Sequence, residues 1–259
     1  AYTDAVGNLS YGYFGGGTPG PGYGDSTHVE RLDYASDTDT TLAKGQLHQG
    51  RFAPQGTGNA DYGYIAAGHP HTSSIDRIDY SNDTPTASPK GPLHRTARYG
   101  SSTGTNSYGY FTSGDHGANP SPSTSEIYRL DYANDTNACV LKGNLTETKY
   151  WVTGLGTPNY GYVGGGREQH DSSQPDFSDT TKLERIDFSN DTATASPKGP
   201  LAVAVRETGA VSGAQNANPN PGPISVYTPR IRWVDSVSTI SATGHGYTSG
   251  GQVAPGSAG

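Results

Sequence analysis

The side chains best suited to chemistry in this 259-residue chain are histidines and aspartates gathered in a few short segments. Five of the eight histidines, His28, His69, His71, His116 and His170, lie in segments that also carry Asp25, Asp115, Asp171, Asp176, Asp179 and Arg167. An imidazole beside a carboxylate can move protons near neutral pH or ligate a metal, and His69-Pro70-His71 offers two imidazoles. No ligand spacing recurs among these segments, however, and nothing resembles a Ser/His/Asp elbow, a phosphate loop or a Cys/His metal framework. The expectation is contact with a ligand or partner by His28, His69, His71, Asp115, His116, Arg167, His170 and Asp171, with no metal, no cofactor and no catalytic residue.

A second set of charges is repetitive. Arg31/Asp33, Arg77/Asp79, Arg129/Asp131 and Arg185/Asp187 each sit two residues apart, which puts both side chains on one strand face. Catalysis would ask for one special copy, whereas four equivalent copies suit a structural ladder of Arg–Asp pairs between neighbouring units, since a buried charge needs a partner. Tyr-Gly-Tyr, at 11–13, 62–64, 108–110 and 160–162, offers either a sugar-stacking platform or buried rings with a glycine that permits close approach. Its regular recurrence favours the buried rings.

These motifs define a repeat. Arg-(Leu/Ile)-Asp-(Tyr/Phe) begins at Arg31, Arg77, Arg129 and Arg185, and Lys-Gly-x-Leu at Lys44, Lys90, Lys142 and Lys198. The Arg-to-Lys spacing is 13 in every copy, and each of the first three Lys precedes the next Tyr-Gly-Tyr by 18. Only the stretch from Tyr-Gly-Tyr to Arg varies, at 20, 15, 21 and 25 residues. The elements that must hold the candidate residues follow from this. Tyr-Gly-Tyr-Phe-Gly-Gly-Gly reads as a short strand stopped by glycines, and Val29–Tyr34 with its counterparts as a second strand covered on both faces. Ser-Asn-Asp-Thr is turn chemistry, followed by a third strand up to Lys-Gly and a fourth before the next Tyr-Gly-Tyr. Four short strands in roughly fifty residues is the size of a propeller blade, and the variable loops are 14–28, 65–74, 111–126 and 163–182.

Composition narrows the class. Leu, Ile, Val and Phe make only 36 of 259 residues, but 18 tyrosines supply surface that can be buried, and the net charge is a modest −7. With 37 glycines and 18 prolines the chain reads as folded, all-β and turn-rich. The acidic balance argues against nucleic-acid binding, and no apolar run is long enough for a membrane-inserted helix. A single cysteine, Cys139, occupies a slot held elsewhere by Thr41, Ala87 and Ala195 and reads as a small buried side chain. Trp151 and Trp233 fall outside the repeated landmarks and read as packing or interface anchors. The absence of methionine suggests a processed or partial chain.

The glycine doublet closing a strand, the variable loop, the Arg-x-Asp-Tyr strand with its Asn-Asp-Thr turn, and Lys-Gly-Pro-Leu together resemble kelch-type repeats. Tyr-Gly-Tyr-Phe-Gly-Gly-Gly with Arg-Ile-Asp-(Tyr/Phe)-Ser-Asn-Asp-Thr-x-Thr-Ala-Ser-Pro-Lys-Gly-Pro-Leu (77–93, 185–201) is similar, more narrowly, to kelch-like proteins of aquatic tailed phages. The resemblance covers about 1–215, lacks the Trp that general kelch repeats carry after the turn, and loses the glycine doublet in copies 2 and 3. It implies a kelch-like β-propeller with four clear four-stranded blades (copies near 11–61, 62–107, 108–159 and 160–215) and a degenerate fifth unit or docking tail at 216–259. It also implies an extracellular, non-enzymatic structural and binding protein, such as a phage tail fibre or other virion appendage. Its partners would be other virion or filament subunits, further copies of itself, and a host-surface glycan or protein. A secreted bacterial filament subunit and, third, a carbohydrate-active enzyme are the alternatives.

Overall fold

In the computed structural model, residues 2–20, 24–117, 123–171 and 176–210 are described. The chain divides into two compact units, Ala1–Pro221 and Gly222–Gly259. The proposed fifth unit at 216–259 lies outside the described residues.

The first unit is built from antiparallel sheets, with short 3-10 turns at Tyr132–Asn134 and Phe188–Asn190. Sheet 1 is β1 (Asp4–Gly7), β2 (Tyr11–Gly15), β3 (Val29–Asp33) and β4 (Leu42–Ala43), in that spatial order. Sheet 2 is β5 (Gln55–Gly58), β6 (Tyr62–Ala66), β7 (Ile75–Asp79) and β8 (Ser88–Lys90). Sheet 3 is β9 (Ser101–Gly104), β10 (Tyr108–Asp115), β11 (Ser123–Asp131) and β12 (Val140–Asn144). The next strands are β13 (Lys149–Tyr150), β14 (Thr153–Gly156), β15 (Tyr160–Gly164), β16 (Arg167–Asp171), β17 (Asp176–Asp179), β18 (Leu183–Asp187) and β19 (Ser196–Pro197). Sheet 4 is β14-β15-β18-β19, and β13-β16-β17 form a small extra sheet.

The phase of the repeat is one strand earlier than the landmarks suggest. The Gly-rich strand before each Tyr-Gly-Tyr pairs with that Tyr-Gly-Tyr strand, so residues 4–7 open the first sheet and do not close an earlier one. Two variable connections are also more ordered than loops: β10 and β11 extend into the third, and the fourth folds back as the β16–β17 hairpin.

Neighbouring sheets are held by one repeated constellation. Tyr13, Arg31 and Lys44 of sheet 1 converge on Asp83 of sheet 2, at 2.9, 2.8 and 3.1 Å. Tyr64, Arg77 and Lys90 converge in the same way on Asp135, and Tyr110, Arg129 and Lys142 on Asp191. The glycine after each Lys donates its N–H to the backbone oxygen of the same aspartate, 2.8 Å each time. Two cations and a hydroxyl thus satisfy an almost buried carboxylate, which could not be tolerated unpaired, and the glycine N–H satisfies the same residue's backbone oxygen. Burial alone would push the Asp83 carboxyl up, but Lys44, Tyr13 and Arg31 outweigh it and hold it below the ordinary carboxylate value.

The expected charge ladder therefore exists with a different acceptor. Arg31, Arg77 and Arg129 do reach the next sheet, but they bind the aspartate of the Asn-Asp-Thr turn. Asp33, Asp79, Asp131 and Asp187 instead turn back on their own chain and accept from Ala35, Ser81, Ala133 and Ser189 N–H, 2.9 Å each. The reason is local: an aspartate at a strand end meets the free N–H two residues on before it can meet a neighbouring sheet.

The Tyr-Gly-Tyr rings are packing groups. Tyr13, Tyr64 and Tyr110 are fully buried and stack on Tyr80, Tyr132 and Phe188 of the next sheet, with ring centroids 4.9, 4.9 and 4.7 Å apart. The first tyrosine of each motif (Tyr11, Tyr62, Tyr108 and Tyr160) lies under its own sheet's arginine, at 4.2 to 4.3 Å. Aromatic stacking completes a core whose aliphatics include Ile65, Ile78, Ile127, Leu130 and Ile186. Cys139 is buried in that core with its thiol pushed up to about 12 by burial.

Two contrasts test this. Asp135→Ala strands Arg77 and Lys90 and should cost about 3 kcal/mol, whereas Asp37→Ala, at the equivalent exposed position of sheet 1, should change stability by less than about 0.5 kcal/mol. A Cβ on Gly91 would meet Asn137 O at 1.9 Å, while one on Gly199 meets nothing within 4 Å. Gly91→Ala should therefore lower the urea midpoint sharply and Gly199→Ala should leave it in place.

Candidate functional site

The first strands of sheets 2, 3 and 4 (β5, β9 and β14) are each entered through a residue with left-handed backbone, and Glu207 repeats the conformation. Ala53, Tyr99, Trp151 and Glu207 have φ of 52, 58, 56 and 54°, and each lies nine residues after the Lys of Lys-Gly. Tyr2, before β1, has φ of 60°. Such φ values are uncommon outside glycine, and the structure gives a reason for all five. Their peptide groups hydrogen-bond from sheet to sheet: Ala53 N–H to Tyr2 O, Tyr99 to Ala53, Trp151 to Tyr99 and Glu207 to Trp151, at 2.8, 3.2, 2.7 and 3.1 Å. The ladder uses backbone alone, so the side chains are free to differ.

Those side chains ring a cavity of about 500 Å³, lined among others by Tyr2, Asp4, Tyr99, Ser101, Trp151 and Glu207. Tyr2 meets Tyr99 edge-on at 5.7 Å across the small Ala53, and Tyr99 meets Trp151 edge-on at 5.5 Å. Guanidinium groups cap these rings: Arg98 over Tyr99 at 5.2 Å, Arg206 and Arg167 over Trp151 at 5.1 and 5.9 Å. Arg98 is held by Asp115 at 2.8 Å, and Arg206 by Asp179 at 3.0 Å. The lining itself combines the aromatic rings with the carboxylates of Asp4 and Glu207 and the hydroxyl of Ser101, which suits a polar ligand with an apolar face.

The variable connections reach this same rim. Gly17, Gly68 and Gly166 N–H groups bind Arg51, Ala97 and Val205 O, and Arg98 and Asp115 exchange backbone bonds at 2.8 Å. Ala67 takes the left-handed conformation (φ 60°) where copy 2 lacks its glycine.

Of the residues expected at a site, His69, His71 and Asp115 come together. His69 stacks on Phe52 at 4.6 Å and its Nδ1 lies 2.9 Å from Asp25, while His71 Nε2 lies 3.5 Å from Asp115 without bonding it. Arg167 belongs to the Trp151 end of the rim. His116 contributes its carbonyl oxygen to Thr96, and His28 is exposed with its backbone tied to Ser26 and Gly16. His170 and Asp171 lie on β16, whose side chains there are outside the described residues. Tyr2, Phe52, Tyr99 and Glu207 went unread as site residues because no motif marks them. The constant nine-residue offset from Lys would have found Tyr99, Trp151 and Glu207.

Two pairs on the path to the rim are fully enclosed. Arg51 binds Asp76 at 2.8 Å and the carbonyl oxygens of Ala67 and Ser74, and Lys149 pairs with Glu184. Burial pushes Asp76 up and Arg51 down, and their mutual attraction opposes both shifts. These pairs tie the segments just before Ala53 and Trp151 to the third strands of sheets 2 and 4, β7 and β18.

No family model matches the chain, and no curated protein does. Among solved structures it is similar to a propeller-like chain titled "Structure of YjhT", with a TM-score of 0.64 and 8% identity over 81% of this chain and 73% of that one. The likeness concerns fold alone. The described residues are thus all-β, in four four-stranded antiparallel sheets and one small sheet, with a fold similar to that propeller-like neighbour.

Asp4, at the cavity wall, has a raised carboxyl value. Burial lifts it to about 6 against two opposing N–H donors, Ala5 and Gly56. The folded chain therefore holds this proton more tightly than the unfolded chain does. Its contribution to stability is complete below the ordinary value of 3.8 and fades as pH rises through 6. A carboxyl NMR titration should place the Asp4 midpoint near 6, well above that of Asp79, which the Ser81 hydroxyl holds low.

Proposed function

We propose that the four sheets are the blades of a kelch-like β-propeller, with 216–259 a degenerate fifth unit or docking tail. In this reading the chain is a non-enzymatic structural and binding component of an extracellular assembly, a tail fibre or other appendage of a tailed phage. It contacts a host-surface glycan or protein where the variable connections meet the central rim. The observation that carries the reading is the aromatic-lined cavity of about 500 Å³, whose walls are Tyr2, Tyr99 and Trp151. Flat aromatic faces with the carboxylates of Asp4 and Glu207 in the same lining match a sugar ring, apolar on one face and hydroxylated at its edge. The phage context comes from the resemblance of the repeat, and the cavity is a feature of the fold itself. Recognition carried by residues on a fixed frame is how one architecture serves many ligands.

The test is glycan-array binding with the purified chain, followed by titration of any hit. Binding should fall at least roughly tenfold on Trp151→Ala or Tyr99→Ala, the scale of one lost anchor residue, and should be untouched by the exposed His28→Ala. The bound glycan should be recovered intact. A cleaved product would instead make the chain a carbohydrate-active enzyme, and unaltered binding by both aromatic variants would move recognition away from the rim.

A further inference from the structure

The three aspartate latches leave two halves over, one at each end of the row of sheets. Sheet 4 carries the donor set, Tyr162, Arg185 and Lys198, at the positions of Tyr110, Arg129 and Lys142. Sheet 1 carries the acceptor set, Asp37 in its turn and Tyr34 as the stacking ring, at the positions of Asp83 and Tyr80.

Among the described residues neither half is engaged. Tyr34 is 50% exposed, where Tyr80 and Tyr132 are 7% and 8%. Asp37 and Lys198 are exposed, and Tyr162 is half-buried where its three counterparts are fully buried. The glycines report the same thing. A Cβ on Gly45, Gly91 or Gly143 would strike the neighbouring turn at 1.7, 1.9 or 2.0 Å, while the space beside Gly199 is open. Arg185 is already oriented, lying 4.2 Å over Tyr160 as its counterparts lie over their tyrosines.

We propose that these ends form a heterologous interface between two copies of this chain, Asp37 of one entering the Tyr162–Arg185–Lys198 site of the other. Charge complementarity is the argument for a second copy. The donor end needs a turn with a carboxylate at the Asp83 position and an aromatic three residues before that turn's aspartate. Within the sequence only four turns have that form, three of them filled, and 211–259 has a single acid, Asp235, with no such turn. The match is not complete at every position. Where Arg51 faces Asp76 and Lys149 faces Glu184, the new contact would set Val205 against Glu30, which keeps its bond to Thr41. The contact should accordingly be weaker than those within the chain. A head-to-tail contact of this kind makes a ring if the rotation closes and a filament if it does not.

The experiment is sedimentation velocity on the full chain over a wide concentration range. The wild type should self-associate reversibly. Asp37→Ala keeps only the donor end, and Arg185→Ala/Lys198→Ala keeps only the acceptor end, so each alone should be monomeric. Mixed, they should form a one-to-one dimer and nothing larger, since the two intact halves can meet only once. Circular dichroism confirms folding, and the exposed Lys198→Glu replaces the double variant if Arg185→Ala folds poorly. A wild type that stays monomeric throughout, an Asp37→Ala chain that associates like the wild type, or a mixture that stays monomeric overturns the proposal. None of these readings depends on glycan binding.

Discussion

The aspartate of the Asn-Asp-Thr turn is the group on which the arrangement of sheets depends. It sits nearly out of water, and a carboxylate there is tolerable only if its oxygens are used. One oxygen takes an arginine and a tyrosine hydroxyl, the other a lysine, and the aspartate's own carbonyl takes a glycine N–H. Every donor comes from the preceding sheet. The contact therefore fixes position and angle together, which a purely apolar interface of similar area would do less sharply. Its neighbours follow from it: the tyrosine that donates to the carboxylate must stack on the next sheet's ring, and the glycine after the lysine must approach the next turn closely enough to exclude any Cβ.

Next to this constant feature is one that changes freely. Arg51–Asp76 and Lys149–Glu184 occupy equivalent positions in two interfaces, and Ala97 and Tyr128 share the apolar cluster at the third. A charge pair and an apolar pair thus serve the same place, as expected where an enclosed ion pair gives little net advantage over well-packed apolar groups of similar volume. The repeat constrains that position only to be complementary. It constrains the latch aspartate to be an aspartate.

How much of this could be read in the sequence follows from the same distinction. The strands, the turns and the burial of Tyr-Gly-Tyr are local consequences of composition and spacing, and they are where the motifs place them. The partner of Arg31 was not readable, because Asp33 and the turn aspartates are both invariant across the copies and only register between sheets separates them. The phase of the repeat was hidden for a related reason: a Gly-rich strand such as Gln55–Gly58 carries too little side chain to show which hairpin it joins. The third and fourth variable connections read as loops because Gly, His, Asp and Ser dominate them, yet in the third the entering strands continue to pair and in the fourth a new hairpin forms.

The rim was the least legible part, and the cause is informative. Tyr2, Ala53, Tyr99, Trp151 and Glu207 share a conformation but no side-chain chemistry, since what they share is a backbone hydrogen-bond ladder. A position held by its peptide group leaves its side chain unconstrained by the fold. Five such positions, brought to one opening and flanked by the only connections whose length varies, are where sequence can change with least cost to the frame. Three of the five carry aromatic rings, although aromatic residues are disfavoured at positive φ. Nothing in the ladder itself asks for a ring there, so the demand has to come from what the rings touch: each other, the guanidiniums above them and the space they enclose.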